Sequence, residues 1–457
     1  MRLRALFIIC FFIFSDYLLK AQAVTPELEK GKIIQSVTCL DDATESYALY
    51  LPKKYNATQK WPIIIGFSPA GRGTDPVGIC MEAAEKFGFI VVGSNNSKNG
   101  PSEPINKAYK AIKAEIEKRF SIDPKRIYSI GMSGGSRVAL RMAASEPDLF
   151  RGVIASAAFF NPADDFKDKN IFIYGIVGDE DFNYPEYLRG SPILEKNKTA
   201  FWVEIFQGKH QWPPKELVFE AIEMFDYLYQ KTLEGKGLAQ AEQIIKARLA
   251  KAEQMIEKKL WVHASAEINN LLRNFESSNK VDSIKALRKK LDDNSEYQAD
   301  KKAEEDFYAN ALTVRGVVDT PAYWETFSKF KNLAKENTRL GNLAKGTLGS
   351  LSDSIKGSFK QISENKNNPP DLKGLYFKVA HLANPVDPRV ACVSSFFYAQ
   401  AKNKSETLNL LTEAAKLGYN DPDAILKEKE FEFVKEEPGF KEAIKKITEN
   451  KENPPKK

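Results

Sequence analysis

The stretch that most constrains this chain is a strand-like run joined to a helix-forming run by a single small turn. Ile127-Tyr128-Ser129-Ile130 reads as a buried strand, Gly131-Met132-Ser133-Gly134-Gly135 follows at once, and Val138-Ala139-Leu140-Arg141-Met142-Ala143-Ala144 reads as a helix. A serine between glycines placed two before and two after sits on a sharp strand-to-helix turn, where side chains at the glycine positions would collide. The helix behind it aims its first N–H groups at the same point and favours negative charge there. Gly-x-Ser-x-Gly alone is a common small-residue turn. The strand before it and the helix after it make Ser133 the candidate nucleophile.

Around this turn, short apolar runs alternate with amphipathic ones. Tyr47 to Leu51 reads as an edge strand, Trp61 to Phe67 as a buried one, and Phe89 to Gly93 as the next, with Val77 to Phe87 as a connecting helix. Ile105, Ala108, Ile112, Ile116 and Phe120 recur at helical spacing. Gly152 to Ala157, Ile171 to Val177 and Phe201 to Phe206 continue as strands, and Glu216 to Gln230 as a helix. Strands apolar on both faces and separated by helices predict a mostly parallel sheet covered on both sides, hence an α/β fold over residues 24–235. Sites on such sheets lie beyond the carboxyl ends of the strands, where Ser133 falls.

Beyond Leu233-Glu234-Gly235-Lys236-Gly237 the period is helical throughout: Ile245, Leu249, Ala252 and Ile256, then Ile268, Leu271, Leu272 and Phe275. A second, all-helical domain is expected over residues 236–447, with a polar break from Ser363 to Asp371 and a disordered tail over 448–457. At 457 residues two domains are the ordinary expectation. Net charge is +6, from 67 basic and 61 acidic residues; spread over this length, the excess is too small to argue for a nucleic-acid or membrane-surface partner, and no nucleic-acid partner is expected.

Arg2 and Arg4, the apolar run Ala5 to Phe14 and Ala21-Gln22-Ala23 read as a secretory signal peptide over residues 1–23, which places the mature chain outside the cytoplasm, secreted or periplasmic, with no membrane span. Cleavage leaves Cys39, Cys80 and Cys392. A Cys39–Cys80 bridge is conceivable in an oxidising compartment, and Cys392, in an apolar helix, reads as a buried free thiol. No Cys/His spacing suggests a metal, and no cofactor is expected.

A serine nucleophile needs a base, and the base an acid, here in the chain order Ser, Asp or Glu, His. Of the three histidines, His210, His263 and His381, only His210 lies in the α/β part after Ser133, in Gln207-Gly208-Lys209-His210-Gln211-Trp212-Pro213-Pro214 behind the last strand. Gly178-Asp179-Glu180-Asp181 follows the preceding strand; Asp181 is the preferred acid and Asp179 the runner-up, the remaining carboxylates being solvated loop charges. An oxyanion hole needs backbone N–H groups, one from Gly134 and one from Ser68-Pro69-Ala70-Gly71-Arg72-Gly73, where Pro69 cannot donate and Ala70 or Gly71 can. Arg72 is either a structural cation or substrate-facing.

With Asp123-Pro124-Lys125-Arg126-Ile127-Tyr128 leading into the turn, Glu146-Pro147-Asp148-Leu149-Phe150 behind it, and Gly208-Lys209-His210-Gln211-Trp212-Pro213, the chain resembles the polyhydroxybutyrate depolymerase and feruloyl esterase group of α/β-hydrolases from about Glu45 to Leu233. The resemblance implies a secreted serine esterase acting on small or polymeric esters, with Ser133, Asp181 and His210 as nucleophile, acid and base. It departs at the first loop, where a His-Gly pair is common and Gly66-Phe67-Ser68-Pro69 stands instead. Arg389 to Ala401, Glu406 to Leu417 and the turn Gly418 to Pro422 resemble a degenerate tetratricopeptide-type unit capped by Phe431 to Phe440, which implies a scaffold or a protein-partner surface. The same triad cleaves amides, so a peptidase or amidase is the nearest alternative, and a non-catalytic hydrolase-like binding module is the other class.

Overall fold

A computed structural model describes residues 28–161, 164–233 and 237–453 of the chain. The expected signal peptide lies outside the described residues. Among them eight strands form one sheet: β1 (Ile33–Thr38), β2 (Ser46–Tyr50), β3 (Trp61–Phe67), β4 (Ile90–Ser94), β5 (Ile122–Met132), β6 (Gly152–Ser156), β7 (Phe172–Gly178) and β8 (Phe201–Phe206), in the order β1-β2-β4-β3-β5-β6-β7-β8. β1 and β2 run antiparallel to their neighbours and all other pairs are parallel. The chain steps outward from β3 to β4 and returns on the other side of β3 to β5, so the loops after β3 and β5 open onto the crevice where strand order reverses.

β2 is not the edge. β1 lies outside it, with Gln35 and Ser36 at its centre and a register irregularity between Ile34 and Val37, so β1 lacks the alternation by which a strand is read. Helices α1 (Thr74–Phe87), α2 (Ser102–Arg119), α3 (Gly134–Ser145), α4 (Tyr184–Lys196) and α5 (Lys215–Lys231) cover the sheet. Alternate strand residues feed two cores. Ile63, Ile65 and Val92 pack with residues of α2 and α3, and Ile64, Val91 and Tyr128 with residues of α1 and α5. Cys39 belongs to the first core and Cys80 to the second; the sheet separates them and both are free thiols, so the conceivable bridge is absent. Burial pushes the Cys39 thiol up to about 11 and raises Cys80 as well. Cys392 is a free, half-buried thiol.

After Lys231 the regular elements are helical: α6 (Leu238–Glu257), α7 (Trp261–Asn274), α8 (Val281–Asp292), α9 (Ser295–Val314), α10 (Pro321–Leu333), α11 (Arg339–Gly357), α12 (Phe359–Glu364), α13 (Pro370–Ala383), α14 (Pro388–Gln400), α15 (Lys404–Lys416) and α16 (Pro422–Leu426), then a 3₁₀ turn (Lys429–Val434) and α17 (Pro438–Glu452). Helix α17 runs past Ile447 into the expected tail, because Asn450 is buried and its amide donates to the carbonyls of Ala415 and Tyr419. Residues 454–457 lie outside the described residues.

The helical half straddles the open edge of the sheet. Buried residues of α6 to α8 join one core, and Phe307, Tyr323 and Phe327 join the other. Between them α7 seals strand β8: Asn270 Oδ1 accepts from Val203 N–H at 3.0 Å, its Nδ2 donates to Val203 O at 2.6 Å, and Asn274 Nδ2 donates to Phe201 O. A side-chain amide thus stands in for a ninth strand. Beside it Arg248 of α6, 5% exposed, is held by Glu204 of β8, Glu267 of α7 and the Tyr174 hydroxyl of β7. Among the described residues no helix is long and apolar enough to cross a membrane.

Candidate active site

β5 delivers Ser133 to the crevice in a conformation few residues adopt. Its φ is 54° and ψ −122°, a strained backbone that persists only where the surroundings impose it. A Cβ on Gly131 would lie 2.2 Å from Gly135 O, and one on Gly135 2.2 Å from Phe67 O, so both glycines are required by close backbone approach. Ser133 N–H donates to Ser156 O at 2.8 Å, which ties the turn to the neighbouring strand. Its side chain is thereby left to project outward.

The loops after β7 and β8 bring the other two predicted residues to it. His210 Nε2 lies 2.9 Å from Ser133 Oγ, and its Nδ1 lies 2.9 and 3.1 Å from the two oxygens of Asp181. The Asp181 side chain is 0% exposed and also accepts from Asn183 N–H, while His210 is 23% exposed. Phe182 stacks on the imidazole, ring centres 4.2 Å apart. With a proton on Nδ1 donated to Asp181, Nε2 is the acceptor for the serine hydroxyl, the arrangement that abstracts a proton from an attacking alcohol.

Asp179 does other work. Its Oδ1 accepts from Gly208 N–H at 3.0 Å, joining the acid loop to the histidine loop, and Oδ2 lies 3.4 Å from His263 Nε2 of α7. Burial raises the Asp179 carboxyl and pushes His263 down to about 4. Glu180 accepts from Asn342 Nδ2 of α11 at 2.9 Å. The expectation that both are solvated loop charges is not met: Asp179 is buried beneath α7, and Glu180 is engaged by a helix 162 residues away.

Gly134 opens α3, so its N–H has no acceptor within the helix and faces the crevice. In the loop after β3, Gly71 N–H donates to Ser68 O at 3.1 Å, whereas Ala70 N–H has only Ser68 Oγ at 3.4 Å. Ala70 is therefore the freer of the two candidate donors. Arg72 pairs with Asp75 at 3.1 Å, the structural role. Asn99, from the loop after β4, was not singled out by sequence; its amide lies against Gly134, where a Cβ would meet Asn99 Oδ1 at 1.8 Å. Among the described residues no group of three or more His, Cys, Asp or Glu side chains gathers as a metal site.

The strand order, the strained serine turn and the placement of three loops at the carboxyl ends of β5, β7 and β8 define the architecture. It is an α/β-hydrolase fold, followed by a helical half. The family model described as the prolyl oligopeptidase family matches residues 95–203. No curated protein matches the chain. Solved structures similar to it include FphF, a fluorophosphonate-binding serine hydrolase of Staphylococcus aureus, at 14% identity over 43% of this chain and 99% of that one, with a TM-score of 0.37. Est1E from Butyrivibrio proteoclasticus matches at 16% identity over 42% and 97%, TM-score 0.34. A hyperthermophilic esterase from Pyrobaculum calidifontis matches at 11% identity over 44% and 87%, TM-score 0.37.

Proposed function

We propose that this chain is an exported serine hydrolase that cleaves carboxylic esters through an acyl-serine intermediate. The observation that carries the reading is the unbroken hydrogen-bond chain Ser133–His210–Asp181 on a strained strand-to-helix turn. In this reading His210 Nε2 takes the Ser133 proton as Oγ attacks the carbonyl carbon, and Asp181 stabilises the imidazolium through Nδ1–H. The oxyanion forms against the N–H groups of Gly134 and Ala70. Collapse expels the alcohol, which takes the proton from Nε2, and water then releases the acyl group by the same steps in reverse roles. Export rests on the basic start, apolar run and Ala-x-Ala site of residues 1–23. Ester over amide rests on the resemblance of the elbow and the His210 loop to the esterase group.

One observation favours a second reading. The prolyl oligopeptidase match spans the strand, elbow and acid loop, and the same triad hydrolyses amides. Steady-state rates on short-chain p-nitrophenyl esters and on Ala-Pro p-nitroanilide separate the two. Ester kcat/KM is expected to exceed the anilide value by at least about two orders of magnitude, and Ser133→Ala and His210→Ala to lower kcat by roughly four to six. Preferred cleavage of the anilide would replace the ester reading with the peptidase one, and hydrolysis unaffected by either substitution would exclude both.

A further inference from the structure

The acid loop carries Asp181 and is held from both halves of the chain. From within the α/β half its anchors are Asp179 N–H to Phe206 O and Glu180 N–H to Gly208 O, the Asp179 carboxylate on Gly208 N–H, and Asn183 Nδ2, which donates to Ala157 O at 2.8 Å. The helical half adds side-chain bonds of its own. Asn342 Nδ2 of α11 donates to Glu180 Oε1 at 2.9 Å; Arg315, which ends α9, donates through Nη2 to Phe182 O at 3.3 Å. Arg339 of α11 reaches Asp179 O at 3.5 Å, is anchored by Glu304 of α9 at 3.1 Å, and lies 5.9 Å from the Tyr184 ring. His263 of α7 lies 3.4 Å from Asp179 Oδ2 without hydrogen-bonding to it, and the α11 backbone at Gly346 packs in van der Waals contact with Phe182. Residues on both sides of Asp181 are thus bonded from α9 and α11, and Phe182, whose carbonyl takes the Arg315 bond, is the ring stacked on His210.

We propose that the helical half is the frame of the catalytic acid loop, with Asn342 and Arg315 as positioning residues that keep Asp181 and Phe182 in register with His210. This rests on the serine-hydrolase reading of the same site. Two polar bonds that cross more than 130 residues of sequence meet a loop between β7 and α4 and add to the bonds it makes within the α/β half. Displacing a triad member by about 1 Å costs on the order of a hundredfold in rate.

The test uses the full-length chain. Asn342→Ala, Arg315→Gln, their double variant and Asn342→Asp are compared by ester hydrolysis and by hydrogen–deuterium exchange at the amides of residues 179–184. The double variant is expected to lose about 10- to 100-fold in kcat with KM within twofold, and to exchange faster at the acid loop. Asn342→Asp sets a carboxylate against Glu180 and is expected to be worse than Asn342→Ala; adding Glu180→Gln restores a donor–acceptor pair of reversed polarity and recovers most of kcat and protection. Exchange and kcat within twofold of wild type in the double variant, faster exchange without loss of kcat, or a loss that the reversed pair does not recover would each overturn the frame. A wild type without hydrolytic activity would count against the hydrolase reading alone, and exchange would still decide whether the frame exists.

Discussion

Asp179 and Asp181 stand two residues apart and end in different chemistry. The side chain of Asp181 meets His210; that of Asp179 accepts Gly208 N–H and faces His263. Asp181→Asn is expected to lower kcat by about 10⁴, since an amide cannot stabilise the imidazolium and favours the wrong tautomer. Asp179→Asn keeps an oxygen for Gly208 N–H, so its kcat should stay within about tenfold of wild type. Steady-state kinetics of the two variants checks this, and equal losses would mean that both carboxylates serve the histidine. Ser133 and His210 were legible in sequence because the elbow is a local motif and the α/β half holds one histidine after it. Asp181 was legible by position among three carboxylates. Asn342, Arg315 and Phe182's stacking were not, because each depends on a contact that no local spacing encodes.

At the scale of elements, the parallel strands and the helices between them were readable from apolar runs and helical periods, since strands buried on both faces leave continuous hydrophobic sequence. β1 was not, because an edge strand with a register irregularity and polar central residues shows no alternation. The opposite edge shows a second device invisible in sequence: β8 is closed by Asn270 of α7, which meets both the N–H and the C=O of Val203. Asn270→Ala leaves two buried backbone groups unpaired at about 1–3 kcal/mol each. A loss of roughly 2–6 kcal/mol in urea denaturation is expected from these two groups together. A change under about 0.5 kcal/mol would show that water or a backbone shift replaces the amide.

Across the whole molecule the sequence reading separated an α/β part from a helical part by the change of period near residue 235. What the period could not convey is how closely the two are joined. The apolar clusters on both faces of the sheet extend into the helices, Arg248 is buried between them among carboxylates of β8 and α7, and the acid loop takes hydrogen bonds from α9 and α11. The helical half is therefore part of the site's architecture rather than an appendage. In the proposed mechanism everything turns on Ser133 being an activated nucleophile. Incubating the full-length protein with a fluorophosphonate probe and mapping the adduct by mass spectrometry tests it most directly. One adduct is expected, on Ser133, formed by the wild type and lost in Ser133→Ala and His210→Ala; a folded wild type that forms no adduct, or an adduct that persists in Ser133→Ala, would rule out an activated Ser133.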